Sequence, residues 1–232
     1  MFSYTIVVKY MNEETFKKCV YVVLFILIVI FYTKDINFFG PKFYKDIIEV
    51  ENPKNLTVLV NKNYKLKEDY IPPDLEQISL DYATDEKYMR REAKEAFEHL
   101  SEDARQMGYQ IVATSTYRSY EYQEKLYDYY VQTKGSDYAD ACSARPGHSE
   151  HQTGLAVDVM GSNQDYDLFE DAIEFKWMKE NAHKYGFILR YPNGKEKITG
   201  FKYEPWHYRY VGKEIAKVIY DNNWTLEEYK KQ

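Results

Sequence analysis

The chain has 232 residues, a net charge of −6 and a hydrophobic fraction of 44%. That length suits one domain plus an appendage, and that fraction is ample for a buried core. The acidic balance excludes a general affinity for nucleic acid, whose binders carry an overall basic field.

Residues 19–33 read CVYVVLFILIVIFYT without a charge, with Lys17 and Lys18 before them and Lys34 and Asp35 after. A spanning helix needs about 17–25 apolar residues. This run is short, but flanking lysines snorkel and Tyr32 suits an interface. A signal-peptide core, typically about 7–15 residues, is the rival reading. The following FYTKDINFFG offers no small-x-small cleavage site. The expectation is an uncleaved anchor: a cytoplasmic tail over 1–18, a transmembrane segment over 19–33 and the bulk of the chain outside the cell. Cys19 and Cys142 then cannot pair, and Cys142 reads as a small buried hydrophobe.

Residues 34–55 read as a stalk, broken at Gly40-Pro41 and Asn52-Pro53, and 56–232 as the folded domain. A strand is predicted over 56–60. Apolar residues at helical spacing (Met89, Ala93, Ala96, Phe97, Leu100, Ala104, Met107) predict a helix over 84–107, stopped by Gly108. A short strand over 111–113 and a helix over 121–134 follow, the latter stopped by Gly135. A loop is expected over 137–149, a strand over 155–160 and a helix over 169–185. Strands over 187–191 and 207–211 and a helix over 213–221 complete the chain. No regular βαβ rhythm appears. The fold class is α+β, with helices packed on a central, mainly antiparallel sheet. The 25 tyrosines are expected half-buried, ring packed and hydroxyl wet.

The chemistry gathers in SEHQTGLAVDVM, residues 149–160. Along the strand, Leu155, Val157 and Val159 face a core, while Ala156 and Asp158 face the other way. A carboxylate amid such residues needs a partner, and Gly154 lets the chain fold His151 back toward it. Alone, the pair is a structural hydrogen bond or two ligands of one metal. In YEPWHYRY, Pro205 breaks the strand alternation, so Glu204 and His207 need not point to opposite faces. His207 then supplies a third ligand, and Glu204 stands beside the metal without binding it. Three protein ligands and an open position form the catalytic zinc pattern. A nearby glutamate takes a proton from the activated water and passes it to a leaving amine. The implied reaction is amide hydrolysis. The same ligand set also serves Fe(II) oxygenases, which need no general base.

Other candidates carry two readings each. Arg118, in STYRSY, suits a carboxylate or a developing oxyanion, or forms a surface ion pair. Ser149 contacts substrate or caps its loop. Gln123 orients substrate or faces water. His148 is the rival to His151 as a ligand. His99 reads as solvated, and His183 as a cation near a helix end.

The motifs TYRS, QEKLY, ARPGHSEHQTGLAVD, YGFILRYP, ITGF and EPWHYRYVG, in this order, resemble the zinc D-alanyl-D-alanine carboxypeptidases of VanY type. These are related to L,D-carboxypeptidases of LdcB type. The resemblance covers residues 56–218. It implies an α+β fold with the zinc site on the sheet. It implies His151, Asp158 and His207 as zinc ligands, Glu204 as general base, Arg118 as a transition-state or substrate-carboxylate contact, and Ser149 as a substrate contact; Gln123 stands beside them as a candidate substrate contact. The implied substrate is the peptidoglycan stem peptide, trimmed at its C-terminal D-alanine by a membrane-anchored monomer facing the wall. An L,D-enzyme acting on tetrapeptides and a catalytically silent wall-binding module are the alternatives.

Overall fold

The computed structural model describes residues 43–162, 165–166 and 168–232. Among these, no helix is long and apolar enough to cross a membrane. The expected tail and anchor over 1–33 lie outside the described residues.

In chain order the elements begin with two-residue strands β1 (Ile48–Glu49) and β2 (Tyr64–Lys65), paired in parallel. An antiparallel pair follows, β3 (Leu75–Gln77) with β4 (Tyr88–Arg90). Next come α1 (Arg91–Gln106), β5 (Val112–Ser115), α2 (Tyr120–Lys134) and α3 (Ser136–Cys142). The second half holds β6 (Ala156–Met160), α4 (Ile173–Asn181), β7 (Phe187–Leu189), α5 (Glu196–Thr199), β8 (His207–Tyr210), α6 (Lys213–Asn222) and α7 (Leu226–Tyr229). The principal sheet has the order β5-β6-β8-β7, antiparallel throughout. The architecture is therefore mixed α+β with helices around an antiparallel sheet.

The core follows from the periodicities. Helix α1 buries Ala93, Phe97, Leu100 and Ala104, one stripe at helical spacing. Strand β6 buries Val157 and Val159 into the same cluster, joined by Leu155, Phe187, Tyr208 and Tyr210. Ser119 caps α2 by accepting from Tyr122 N at 3.2 Å. A capping box of Thr225 and Glu228 starts α7.

Several predicted elements differ. Residues 56–60 form no strand; the Leu56 and Val58 carbonyls instead accept from the Arg209 guanidinium, each at 2.9 Å. The helix predicted from 84 begins at Arg91, because Tyr88–Arg90 pairs with β3. The loop predicted over 137–149 contains α3. The helix predicted over 169–185 is broken into a 3-10 turn, α4 and a second 3-10 turn over Ala182–Tyr185. Residues 43–55, read as the end of a stalk, pack on the domain from Phe43 onward. There Tyr44 N donates to Asn63 Oδ1 at 3.1 Å, and Lys62 Nζ lies 5.2 Å from the Phe43 ring.

Candidate active site

Register brings the site together. Asp158 on β6 pairs directly with His207 on β8, so neighbouring strands place a carboxylate and an imidazole side by side. A bulge between Ala113 and Ser115 on β5 sets Ser115 opposite Asp158, at the start of the loop that follows. That loop positions His151, whose Nδ1–H donates to the Thr116 carbonyl at 2.6 Å. Arg118 N also donates to the His151 carbonyl at 3.3 Å. His151 lies in a 3-10 turn, Glu150–Thr153, closed by Gly154 in the left-handed region at φ 67°. A Cβ at Gly154 would also crowd Leu75 Cδ2 at 2.9 Å and Arg90 Cγ at 3.1 Å, but it is the left-handed turn that calls for glycine.

The three groups converge. Ligand atoms from His151, Asp158 and His207 all lie within 4.8 Å of one another, and all three residues are buried. His151 Nε2 is 3.3 Å from Asp158 Oδ2, and His207 Nδ1 is 2.9 Å from Asp158 Oδ1. Among the described residues, His151 Nε2 is buried without a hydrogen-bond partner, and the close approach of His207 Nδ1 to Asp158 Oδ1 lacks hydrogen-bond geometry. Buried polar atoms are rarely left so. Two imidazoles and a carboxylate with facing unsatisfied atoms are a donor set that fits zinc.

Glu204 stands beside the cluster and outside it, its Oε2 3.6 Å from His207 Nδ1. Burial pushes its carboxyl up to about 7, the His207 charge opposes this and the Asp158 charge adds to it. For Asp158, burial works against ionisation, but His151 and then His207 hold its carboxyl well below the usual range. Burial and the Arg118 charge lower His151 to about 4. Burial would lower His207 too, but the Asp158, Glu150 and Glu204 carboxylates together outweigh it and raise the ring to about 9.

These residues line a cleft of 290 Å³ that also contains Arg118, Gln123, Ser149, Tyr166 and Trp206. Arg118 reaches Asp158 Oδ2 at 3.9 Å, and its Nε is buried without a partner among the described residues. Ser149 is 4% exposed and its side chain does not cap the turn. Gln123 does not face water: it is 2% exposed, and its amide donates to the Ala144 carbonyl at 2.8 Å and to Ser143 Oγ at 3.2 Å. His148 is not in the cluster, since its Nδ1–H donates to the Asn61 carbonyl at 2.8 Å. Cys142, expected to be buried, is half-buried in the cleft wall. His99 is exposed, as expected. His183 lies in the closing 3-10 turn Ala182–Tyr185 and stacks on Tyr220 with ring centroids 3.8 Å apart; burial lowers its pKa.

Behind the cluster lies a buried charge network that sequence reasoning missed. Glu150 Oε1 accepts from Arg190 Nε at 2.8 Å and from Arg209 at 2.7 Å. Arg190 also donates to both Glu227 oxygens, at 2.9 and 2.7 Å. The available signal was a pair of arginines within aromatic and apolar strand runs, FILRYP and HYRY.

A cluster able to hold one metal, with a separate carboxylate alongside, is the layout of a metal-dependent hydrolase. Known proteins agree with it. Residues 86–213 match the VanY family model, described as D-alanyl-D-alanine carboxypeptidase. YodJ of Bacillus subtilis (strain 168) is 46% identical over 187 residues, covering 78% of this chain and 68% of the relative. The LdcB LD-carboxypeptidase structure, described in terms of peptidoglycan recognition, superposes with a TM-score of 0.76 at 44% identity, covering 81% of this chain and 91% of that one. A vancomycin resistance D,D-pentapeptidase VanY, solved in complex with Zn(II), gives a TM-score of 0.65 at 34% identity, covering 75% of this chain and 97% of that one. The chain belongs to the VanY D-alanyl-D-alanine carboxypeptidase family.

Proposed function

We propose that this protein is a zinc carboxypeptidase that removes the C-terminal D-alanine from peptidoglycan stem peptides. The observation that carries the proposal is the convergence of His151, Asp158 and His207 within 4.8 Å, beside a glutamate that is not one of them. His151 Nε2, an Asp158 carboxylate oxygen and His207 Nδ1 would hold the ion. Zinc bound there supplies Lewis acidity and brings the pKa of water down to about 7.

The chain's own residues do the rest. Glu204, with its carboxyl raised to about 7, takes the proton of the attacking water and delivers it to the departing D-alanine nitrogen. Arg118 pairs with the substrate's terminal carboxylate or with the oxyanion that develops at the cut carbonyl. Gln123 Oε1, buried and without a partner among the described residues, accepts a substrate N–H. The Ser149 hydroxyl lines the same wall and orients the peptide. Tyr166 and Trp206, with ring centroids 5.2 Å apart, give the cleft an aromatic edge against which a peptide lies.

The D,D-reading, a cut between two D-alanines of a pentapeptide, is supported by the family's description. The L,D-reading, a cut before the D-alanine of a tetrapeptide, is supported by the likeness to LdcB. A silent wall-binding module is disfavoured because base and ligands are all in place. The apolar run 19–33 with Lys17 and Lys18 supports an anchored chain whose domain faces the wall. Offering each peptide separately and weighing the products tests the reading. Loss of one alanine from the pentapeptide alone makes it a D,D-enzyme, and loss from the tetrapeptide an L,D-enzyme. No metal-dependent loss from either refutes the carboxypeptidase assignment.

A further inference from the structure

Glu150 is 1% exposed, and the chemistry above gives it no task. Both arginine contacts fall on Oε1, Arg190 at 2.8 Å and Arg209 at 2.7 Å. Its second oxygen, Oε2, is buried without a hydrogen-bond partner among the described residues, and so is His207 Nε2. The two atoms lie 3.8 Å apart, a gap that a small rotation of the ring closes to hydrogen-bond distance. The other ring nitrogen, Nδ1, points into the cluster, 2.9 Å from Asp158 Oδ1.

A neutral imidazole carries one proton, and only the nitrogen without it binds a metal. His151 has this settled by a backbone carbonyl: Nδ1–H donates to Thr116, which leaves Nε2 for the cluster. Among the described residues, His207 has no carbonyl in that role, and its ring is turned the other way round. Carboxylates flank both nitrogens of the His207 ring, Asp158 at Nδ1 and Glu150 at Nε2; with a cation held on the Asp158 side, the Glu150 carboxylate, which only accepts, would keep the one remaining proton on Nε2 and leave the Nδ1 lone pair free.

We propose that Glu150 is a positioning residue that keeps the proton of His207 on Nε2 and so presents Nδ1 to the metal. The inference rests on the zinc reading of the site. The network fixes Glu150 for this task. Two guanidinium groups occupy Oε1 and turn Oε2 toward the ring. Arg190 is gripped in turn by Glu227 on α7, at 2.9 and 2.7 Å, and Glu227 accepts from Asn61 Nδ2 at 3.1 Å. The ligand's orientation is thus braced from the C-terminal helix.

Glu150→Gln separates this role from a structural one. The amide is nearly isosteric. Its oxygen stays with the guanidinium groups, which only donate, so its NH2 turns to His207 and opposes a proton on Nε2. Glu227→Gln removes one negative charge from the same network without touching His207. In the full chain, Glu150→Gln is expected to bind zinc about 10–100-fold more weakly in a chelator competition, the usual range for losing such a partner. Glu227→Gln, one step further from the ring, is expected to weaken zinc binding much less than Glu150→Gln while melting at lower temperature. Long-range 1H–15N spectra of the zinc-loaded wild type are expected to show Nε2 of His207 protonated and Nδ1 bound, a readout that needs no variant to fold. Binding through Nε2, unchanged zinc affinity in Glu150→Gln, or equal weakening in both variants would each overturn the proposal. A wild-type chain that binds no zinc at all overturns the reading of the site itself and the role of Glu150 with it.

Discussion

Glu204→Gln is the substitution in which activity and stability pull furthest apart. The Glu204 side chain is 15% exposed, at the cleft floor, and burial raises its carboxyl from 4.5 to about 7. A folded-state pKa above the unfolded value means that the proton stabilises the fold. That contribution is complete below about 4.5 and lost as pH rises through about 7. At pH 8 the ionised carboxylate therefore costs the metal-free fold at most roughly 3 kcal/mol, and less once the exposed edge is screened. Glutamine keeps the shape and removes the charge. Metal-free Glu204→Gln should melt several degrees above wild type at pH 8 and close to it at pH 4. Zinc narrows the gap, because a dication compensates the wild-type charge. The same variant loses the base, and its turnover of stem peptide should fall about 10²–10⁴-fold with zinc retained. Thermal melts with and without chelator, beside D-alanine release, measure both sides. Wild-type turnover, or a metal-free variant less stable than wild type at pH 8, refutes the reasoning.

The remaining predictions concern the same groups. Because the base must be ionised, kcat/KM should rise with pH along an acid limb at or below about 7, since a bound dication lowers the carboxyl further; a pH–rate profile without that limb counts against Glu204. Arg118→Lys should lower kcat/KM about 10–100-fold, because a lysine cannot reproduce a forked contact to a carboxylate; steady-state kinetics at the wild-type level would return Arg118 to a structural ion pair with Asp158. Arg190→Met leaves Glu150 and Glu227 buried without this partner and should cost about 3–5 kcal/mol, read by urea unfolding.

The cluster was legible because its signals are local. Alternation along 155–160 separates the core face of β6 from the Asp158 face, and Gly154 marks the reversal that returns His151 to it. The pairing of Asp158 with His207 was reachable only through the metal argument, since nothing in a single chain states strand register. Helix α3 was missed because it buries only Ala139 and so shows no apolar stripe. The start of α1 was misplaced because Met89 extends the helical spacing while lying in a strand. Residues 56–60 read as a strand from their apolar side chains, but their carbonyls are claimed by Arg209. The network of Glu150, Arg190, Arg209 and Glu227 stayed hidden for the same reason. Its hydrogen-bonded pairs are 37 to 59 residues apart along the chain, and an isolated charge in a sequence reads as a surface group.

The central claim is that one zinc, held by His151, Asp158 and His207, is required for the cut. The most direct test strips the full chain of metal and returns zinc in steps, following bound zinc and D-alanine release together. D-alanine release that climbs with zinc and levels off at one ion per chain, and that Asp158→Ala abolishes together with binding, is the predicted result. Release that persists in the stripped chain, or that zinc restores equally in Asp158→Ala, would contradict it.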